Sequence, residues 1–317
     1  MITNIGFPGS RRKRSLVRLA LWTAMALAGT VLTAAAQEPF KTADQAADAL
    51  ARAARSGDRN AVLTILGNDA ADVVSSGDPV EDAATRQAFM AAYDEGHHID
   101  MESDNKAVMI VGHDDFPFPI PIVRNGEGWR FDTAAGRLEI LYRRIGRNEL
   151  DAIQACLAYV DAQNDYADKD HGGGAGAYAQ HIVSQPGKQD GLYWPTKAGE
   201  EESPLGSLVA AATAEGYKVG GSRAPFHGYY YKILTRQGSN APGGALDYVV
   251  NGKMIGGFAL VAYPAEYGNS GVMTFLINHA GAVFQKDLGS DTRQIAGRIT
   301  SFNPDQTWKV IDLASLQ

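Results

Sequence analysis

One uninterrupted run of helix-compatible sequence, Leu138 to Asp168, divides this chain into two unlike halves. Its apolar residues Leu141, Ile145, Leu150, Ile153, Leu157, Val160 and Ala167 alternate with charge, the pattern of a helix with one buried stripe. Arg143, Arg144, Arg147, Asn148 and Glu149 line its other side. Helical patterns dominate before it and strand patterns after it, so the fold class is α+β. The expected boundary lies inside the run, near Ile145–Gly146. The spacing predicts a leader over 1–36, a first domain over 37–145 and a second over 146–317, with the helix as a shared strut.

The leader reads as an export signal. Arg11-Arg12-Lys13-Arg14 precede an apolar stretch from Leu19 to Leu32, and the small residues Ala34-Ala35-Ala36 precede Gln37. Cleavage is expected after Ala36, by general secretion, and leaves no membrane span. The leader carries five basic and no acidic residues, so its removal takes the formal charge from −7 to −12. Such a charge gives no footprint for nucleic acid or anionic lipid. A periplasmic or secreted location follows. Cys156 is the only cysteine, so the chain has no intrachain disulfide and its stability must come from apolar cores. Its place in the stripe with Ile153, Leu157 and Val160 marks a buried thiol, not a nucleophile.

In the first half, Thr42 and Gln45 form a capping box opening an Ala-rich helix that ends near Gly57, and Asp58 caps a second that ends at Gly67. Asp78-Pro79-Val80-Glu81 opens a third, carrying Phe89, Met90 and Tyr93 inward. From His97 the period changes to strands: Lys106 to Val111, Pro119 to Arg124, then Trp129 to Asp132 after the turn Asn125-Gly126-Glu127-Gly128. Helices followed by a sheet ending in Trp-Arg-Phe-Asp, with Ser56-Gly57-Asp58 after the first helix, resemble the nuclear-transport-factor-2-like (NTF2-like) superfamily over residues 40 to 140. The resemblance implies a cone enclosing a pocket, used by some members for isomerase or dehydratase chemistry and by others for binding alone.

The second half breaks at the Gly-rich stretch Asp170 to Gly176 and resumes with a short helix from Ser203-Pro204-Leu205 through Ala214. Strand patterns follow at Gly228 to Leu234, Leu246 to Val250, Gly257 to Tyr263, Val272 to Ile277 and Val283 to Lys286, the last two joined by Asn278-His279-Ala280-Gly281. A long helix followed by an antiparallel meander, with the run from Phe258 to Phe284, resembles the globular part of type IV pilins. A pilin assembles through a very apolar N-terminal helix, whereas this helix is internal and charged, so filament assembly by that route is not expected. Taken whole, the segments SSGDP (75–79), DDFPFPIP (114–121), RIGRNELDAIQACLAYVDAQ (144–163), QDGLYWP (189–195) and APGGALDYVVNGKMIGGFALVAYPAEYG (241–268) resemble an exported bacterial family known as domain of unknown function 2950. That resemblance implies no activity.

Candidate chemistry is sparse. His98 and Asp100 are two apart and share a face of a strand, the spacing of a general base held by a carboxylate, with Asp100 or Asp114 as the orienting group; a solvated strand end has the same residues. Asp168, Asp170 and His171 lack the later ligands of a calcium loop, so no metal and no cofactor are expected. His227 beside Tyr229 and Tyr231, with Tyr193 and Trp194 upstream and Glu266 and Tyr267 downstream, is the densest cluster of functional-looking side chains. It suits a stacking platform for sugar, peptide or peptidoglycan fragments, although alternating tyrosines also occur in half-buried sheets. H-E-x-x-H, C-x-x-C, G-x-S-x-G and the Gly-rich phosphate and dinucleotide motifs are absent. The reading is a non-enzymatic module that binds an envelope ligand or protein, through the Tyr/Trp-rich second half and also the pocket of the first. The alternatives are a cofactor-free hydrolase or isomerase using His98 with Asp100, and a structural envelope component.

Overall fold

The computed structural model describes residues 37, 39–126, 128–197, 199–218 and 224–316; the leader lies outside the described residues. Each early helix starts where a side chain can occupy free backbone amides. Thr42 accepts from the Gln45 N–H at 3.1 Å and opens α1 (Ala43–Ser56), which ends on Gly57 in the left-handed region at φ 69°. Asp58 accepts from Asn60 and Ala61 and opens α2 (Arg59–Leu66). The polar loop after it holds one additional turn, α3 (Ala71–Val74). Asp78 then caps α4 (Pro79–Glu95), with Pro79 in the first turn as its fixed φ favours.

The strands β1 (His97–Ser103), β2 (Lys106–Val111), β3 (Phe116–Pro117), β4 (Ile122–Arg124) and β5 (Trp129–Phe131) form an antiparallel sheet of order β1-β2-β4-β5, with β3 paired to β2. The expected strand over 119–124 is shortened at its start: Pro117, Pro119 and Pro121 offer no N–H to a ladder, so regular pairing begins at Ile122. Along β2, Ala107, Met109 and Val111 are buried, and with Leu50, Ile120, Ile122 and Phe131 they form the first core against α1 and α2.

A single helix, α5 (Thr133–Ala167), leaves this sheet and passes through Ile145 and Gly146 without interruption. Its 35 residues span about 50 Å. Asp132 caps it by accepting from the Ala135 N–H, and it begins at Thr133, five residues before the apolar pattern becomes readable. Gly136 lets it start there, because a Cβ at that position would stand 2.6 Å from the Pro119 carbonyl oxygen and 2.7 Å from Ile120 Cα.

Beyond α5 lie a short parallel pair, β6 (His181–Val183) with β7 (Gly191–Tyr193), and α6 (Gly206–Glu215). The main sheet of the second half has the order β16-β15-β14-β13-β8, built from β8 (Tyr229–Leu234), β13 (Ala259–Pro264), β14 (Met273–Asn278), β15 (Val283–Asp287) and β16 (Lys309–Val310), all antiparallel. Between β8 and β13 run the small ladders β9 (Arg236–Gln237) with β10 (Leu246–Asp247) and β11 (Val249–Val250) with β12 (Lys253–Met254). Strands β13 and β14 are buried on both faces, which is why they read as continuous apolar runs. One face packs against α5 through Tyr159, Phe258 and Phe275; the other is covered by α7 (Thr292–Arg298), whose terminal carbonyls at Ala296 and Gly297 accept from the Lys232 ammonium. No helix among the described residues is long and apolar enough to cross a membrane.

Candidate functional site

His98 and Asp100 share a face of β1, but it is the outward one. They lie opposite Ile110 and Val108 in the ladder, whereas the buried residues of β2 are Ala107, Met109 and Val111. Both are exposed, as is Asp114 after β2, and none of the three borders either of the two cavities described below. The seven aromatic and polar candidates of the second half do not form one cluster. Trp194 lies 5.2 Å from His171, which stacks on Tyr166, and Tyr193 ends β7 beside it. Tyr229 is fully buried, its hydroxyl donating to the Met273 carbonyl at 2.9 Å. Burial holds its phenol well above the usual range, as it does that of Tyr231 on the same strand. Glu266 accepts from Asn269, and Tyr267 donates to Asp287 across 3.2 Å.

His227 has company that the sequence did not reveal. Among the described residues it is one of three non-glycine residues at positive φ, 48°, a conformation that needs support from its surroundings. Its N–H donates to the Tyr217 hydroxyl at 3.2 Å, and its ring lies 3.7 Å from an Asp151 oxygen and 3.4 Å from one of Glu215. Tyr217 donates to the buried Asp78 at 2.9 Å, and burial followed by that carboxylate pushes its phenol up. Tyr217, Tyr231 and Phe226 border a small apolar cavity of about 220 Å³ under α6. The loop at Asp170 is spent on its own backbone: the carboxylate accepts from Gly172 and Gly174 at 2.8 Å each, which lowers its pKa. Among the described residues no three His, Cys, Asp or Glu side chains could hold a metal ion.

The larger concavity lies in the first half and follows from how α4 sits. Of that helix's 17 residues only Tyr93 is buried. Phe89, expected to point inward, is half-buried and packs on Phe118 with the rings tilted at 49° and their centroids 5.4 Å apart. Between α4, α1, α2 and the sheet this leaves a cavity of about 630 Å³, within the range of small-molecule sites. Leu50, Ala54, Val62, Leu66, Val74, Phe118 and Ile140 form its apolar walls. Its charged border comprises Asp58, Glu81 and Asp82 together with Arg59, Arg86, Arg143, Arg144 and Arg147.

Part of that border belongs to a buried polar seam joining the halves. Arg144, 8% exposed, donates to the carbonyls of Asp72 at 2.6 Å and Val73 at 2.7 Å and to the Asn269 side chain. Burial lowers the pKa of this guanidinium, while Asp82 and Glu81 oppose that shift. Asn269 donates in turn to the Ser75 carbonyl and to Glu266. One turn along α5, Asn148 donates to Glu81 and to the Ser270 carbonyl, leaving its own oxygen without a partner among the described residues. Asp78 accepts from the Gly228 N–H at 3.2 Å. The segments 75–79, 144–148 and 266–270, far apart in the chain, thus meet at one place.

The family model described as a protein of unknown function (DUF2950) matches residues 37–311. The chain belongs to the DUF2950 family. The match spans both cores, the seam between them and the whole cavity, so these are features of a DUF2950 chain and not of an appended segment. No curated protein and no solved structure matches this DUF2950 chain.

Proposed function

We propose that this chain is an exported, non-enzymatic binding protein that holds its ligand in the apolar cavity beneath α4. The observation that carries this reading is the unpacked inner side of α4: a 17-residue helix that buries one side chain forgoes core contacts and leaves about 630 Å³ of apolar-walled space. Helices closing over a sheet around such a space support an NTF2-like cone for residues 37–145. The helix-plus-meander order of 146–317 supports a pilin-like scaffold that contributes α5 and the seam. The basic, apolar and small-residue order of 1–36 supports export to the periplasm or medium. The placement of His98 and Asp100 away from this cavity favours binding over the enzymatic alternative that used them.

The test uses the mature chain recovered from the exported fraction, whose mass should place its first residue at Gln37. A neutral apolar dye, N-phenyl-1-naphthylamine, should bind saturably at one site, and Ala88→Trp should abolish that binding without lowering the melting temperature. Ala88 is exposed yet borders the cavity, so the indole closes the opening without disturbing a core. Undiminished binding in that variant would place the site elsewhere.

A further inference from the structure

We infer that the cavity beneath α4 takes an aliphatic chain ending in an anionic group, with the chain against the apolar walls and the anion at Arg59 and Arg86. This rests on the cavity being the ligand site and adds the chemistry of the ligand.

The argument is one of unused guanidinium donors. Five arginines and three carboxylates border the space, and all three carboxylates already accept hydrogen bonds from other groups. Asp58 accepts from the first amides of α2, Glu81 from Arg147 and Asn148, and Asp82 from the Ser75 hydroxyl and the Ser76 N–H. Three of the arginines are likewise occupied: Arg143 by Glu139, Arg147 by Glu81, and Arg144 by the seam. Arg59 reaches only the Ala71 carbonyl, at 3.4 Å. Arg86 makes no hydrogen bond or ion pair among the described residues, and the carboxylates of the border are turned to other donors.

Two guanidinium groups that make no ion pair among the described residues, at the edge of a largely apolar-walled space, match a ligand that is greasy along its length and negative at one end. A planar carboxylate or a phosphate ester meets the guanidinium fork with paired hydrogen bonds. A neutral chain would leave both cations unused, and a cationic one would be repelled. The same two charges have no role in the core, since neither side chain is buried.

The experiment displaces the neutral dye from the mature chain with four twelve-carbon ligands kept below their micelle concentrations: dodecanoate, dodecyl phosphate, dodecanol and dodecyltrimethylammonium. At least one anion should compete tenfold or more better than the alcohol, and the cation should be weakest. Lengthening the carboxylate from eight carbons should tighten binding about fourfold per methylene until the chain outgrows the space. Arg59→Gln with Arg86→Gln should bring the anions to the level of the alcohol while leaving dodecanol and the melting temperature unchanged. Equal competition by anion and alcohol, or an anion preference that survives both substitutions, overturns the inference while the cavity stands as an apolar site. Absence of dye binding in the unsubstituted chain overturns the cavity itself, so the two failures are told apart.

Discussion

Cys156 sits where α5 meets the second core, fully buried, and burial pushes its thiol from the usual 9.0 up to about 12. Tyr248, also fully buried, is raised from 10.0 to about 12, again chiefly by burial. Both shifts favour the neutral form in the folded state. The folded chain therefore keeps protons that the unfolded chain releases above pH 9 to 10, and stability is complete below that range and falls as pH rises through it. The melting temperature should be flat from neutrality to pH 8.5 and decline above pH 9, each group contributing about 1.4 kcal/mol per pH unit between its two values. Cys156→Ala should make the decline shallower. A thiol that alkylates at pH 8 without denaturant would show that this interior is open to water. His227 illustrates the other side of residue-scale reading. Its candidacy was visible in the sequence, but Asp151, Glu215 and Tyr217 come from α5 and from the end of α6, and no local pattern announces which remote side chains will surround a loop histidine.

At the scale of elements, the helix starts were legible because capping is local: Thr42, Asp58 and Asp78 each act on amides two or three residues ahead. Strands with alternating burial, such as β2, were legible for the same reason. Two things were not. The three-residue strand β4 begins late because its neighbours are prolines, and α7 is only seven residues long, too short for a periodic signal. The cavity was hidden for a different reason. Phe89, Met90 and Tyr93 have the spacing of a packed face, and only tertiary geometry reveals that most of that face stands off from its partner. Gly146 offers a prediction at this scale. It lies exposed in the middle of α5, and a Cβ there would meet nothing within 4 Å. Gly146→Ala should therefore stabilise the protein by about 0.5–1 kcal/mol, read as a higher denaturant midpoint with an unchanged slope. A loss of stability would mean that the helix bends or opens at this residue.

At the scale of the molecule, two apolar cores share one helix, and the remaining union is polar. Arg144 and Asn148 reach from α5 to α3 and the first turn of α4 on one side and to the loop Glu266–Ser270 on the other. Removing a buried, fully bonded charge leaves carbonyls without donors, which outweighs any gain from dispensing with the desolvated guanidinium. Arg144→Leu should cost about 3 kcal/mol or more, and hydrogen exchange should accelerate at the amides of Asp72 to Asp78 and of Glu266 to Ser270 together. Acceleration in only one of those segments would show that the seam does not couple them. The sequence made the long helix readable but not this junction, since its partners lie more than 60 residues from Arg144 and Asn148 along the chain.

The continuity of α5 through Ile145 and Gly146 limits the motions open to the protein. Swinging one end against the other would require breaking consecutive backbone hydrogen bonds in the middle of a rod anchored by a core at each end. A ligand of the proposed kind would therefore enter by the opening beside Ala88 with both cores held in place, and the far sheet would act as a fixed mount for the receptacle.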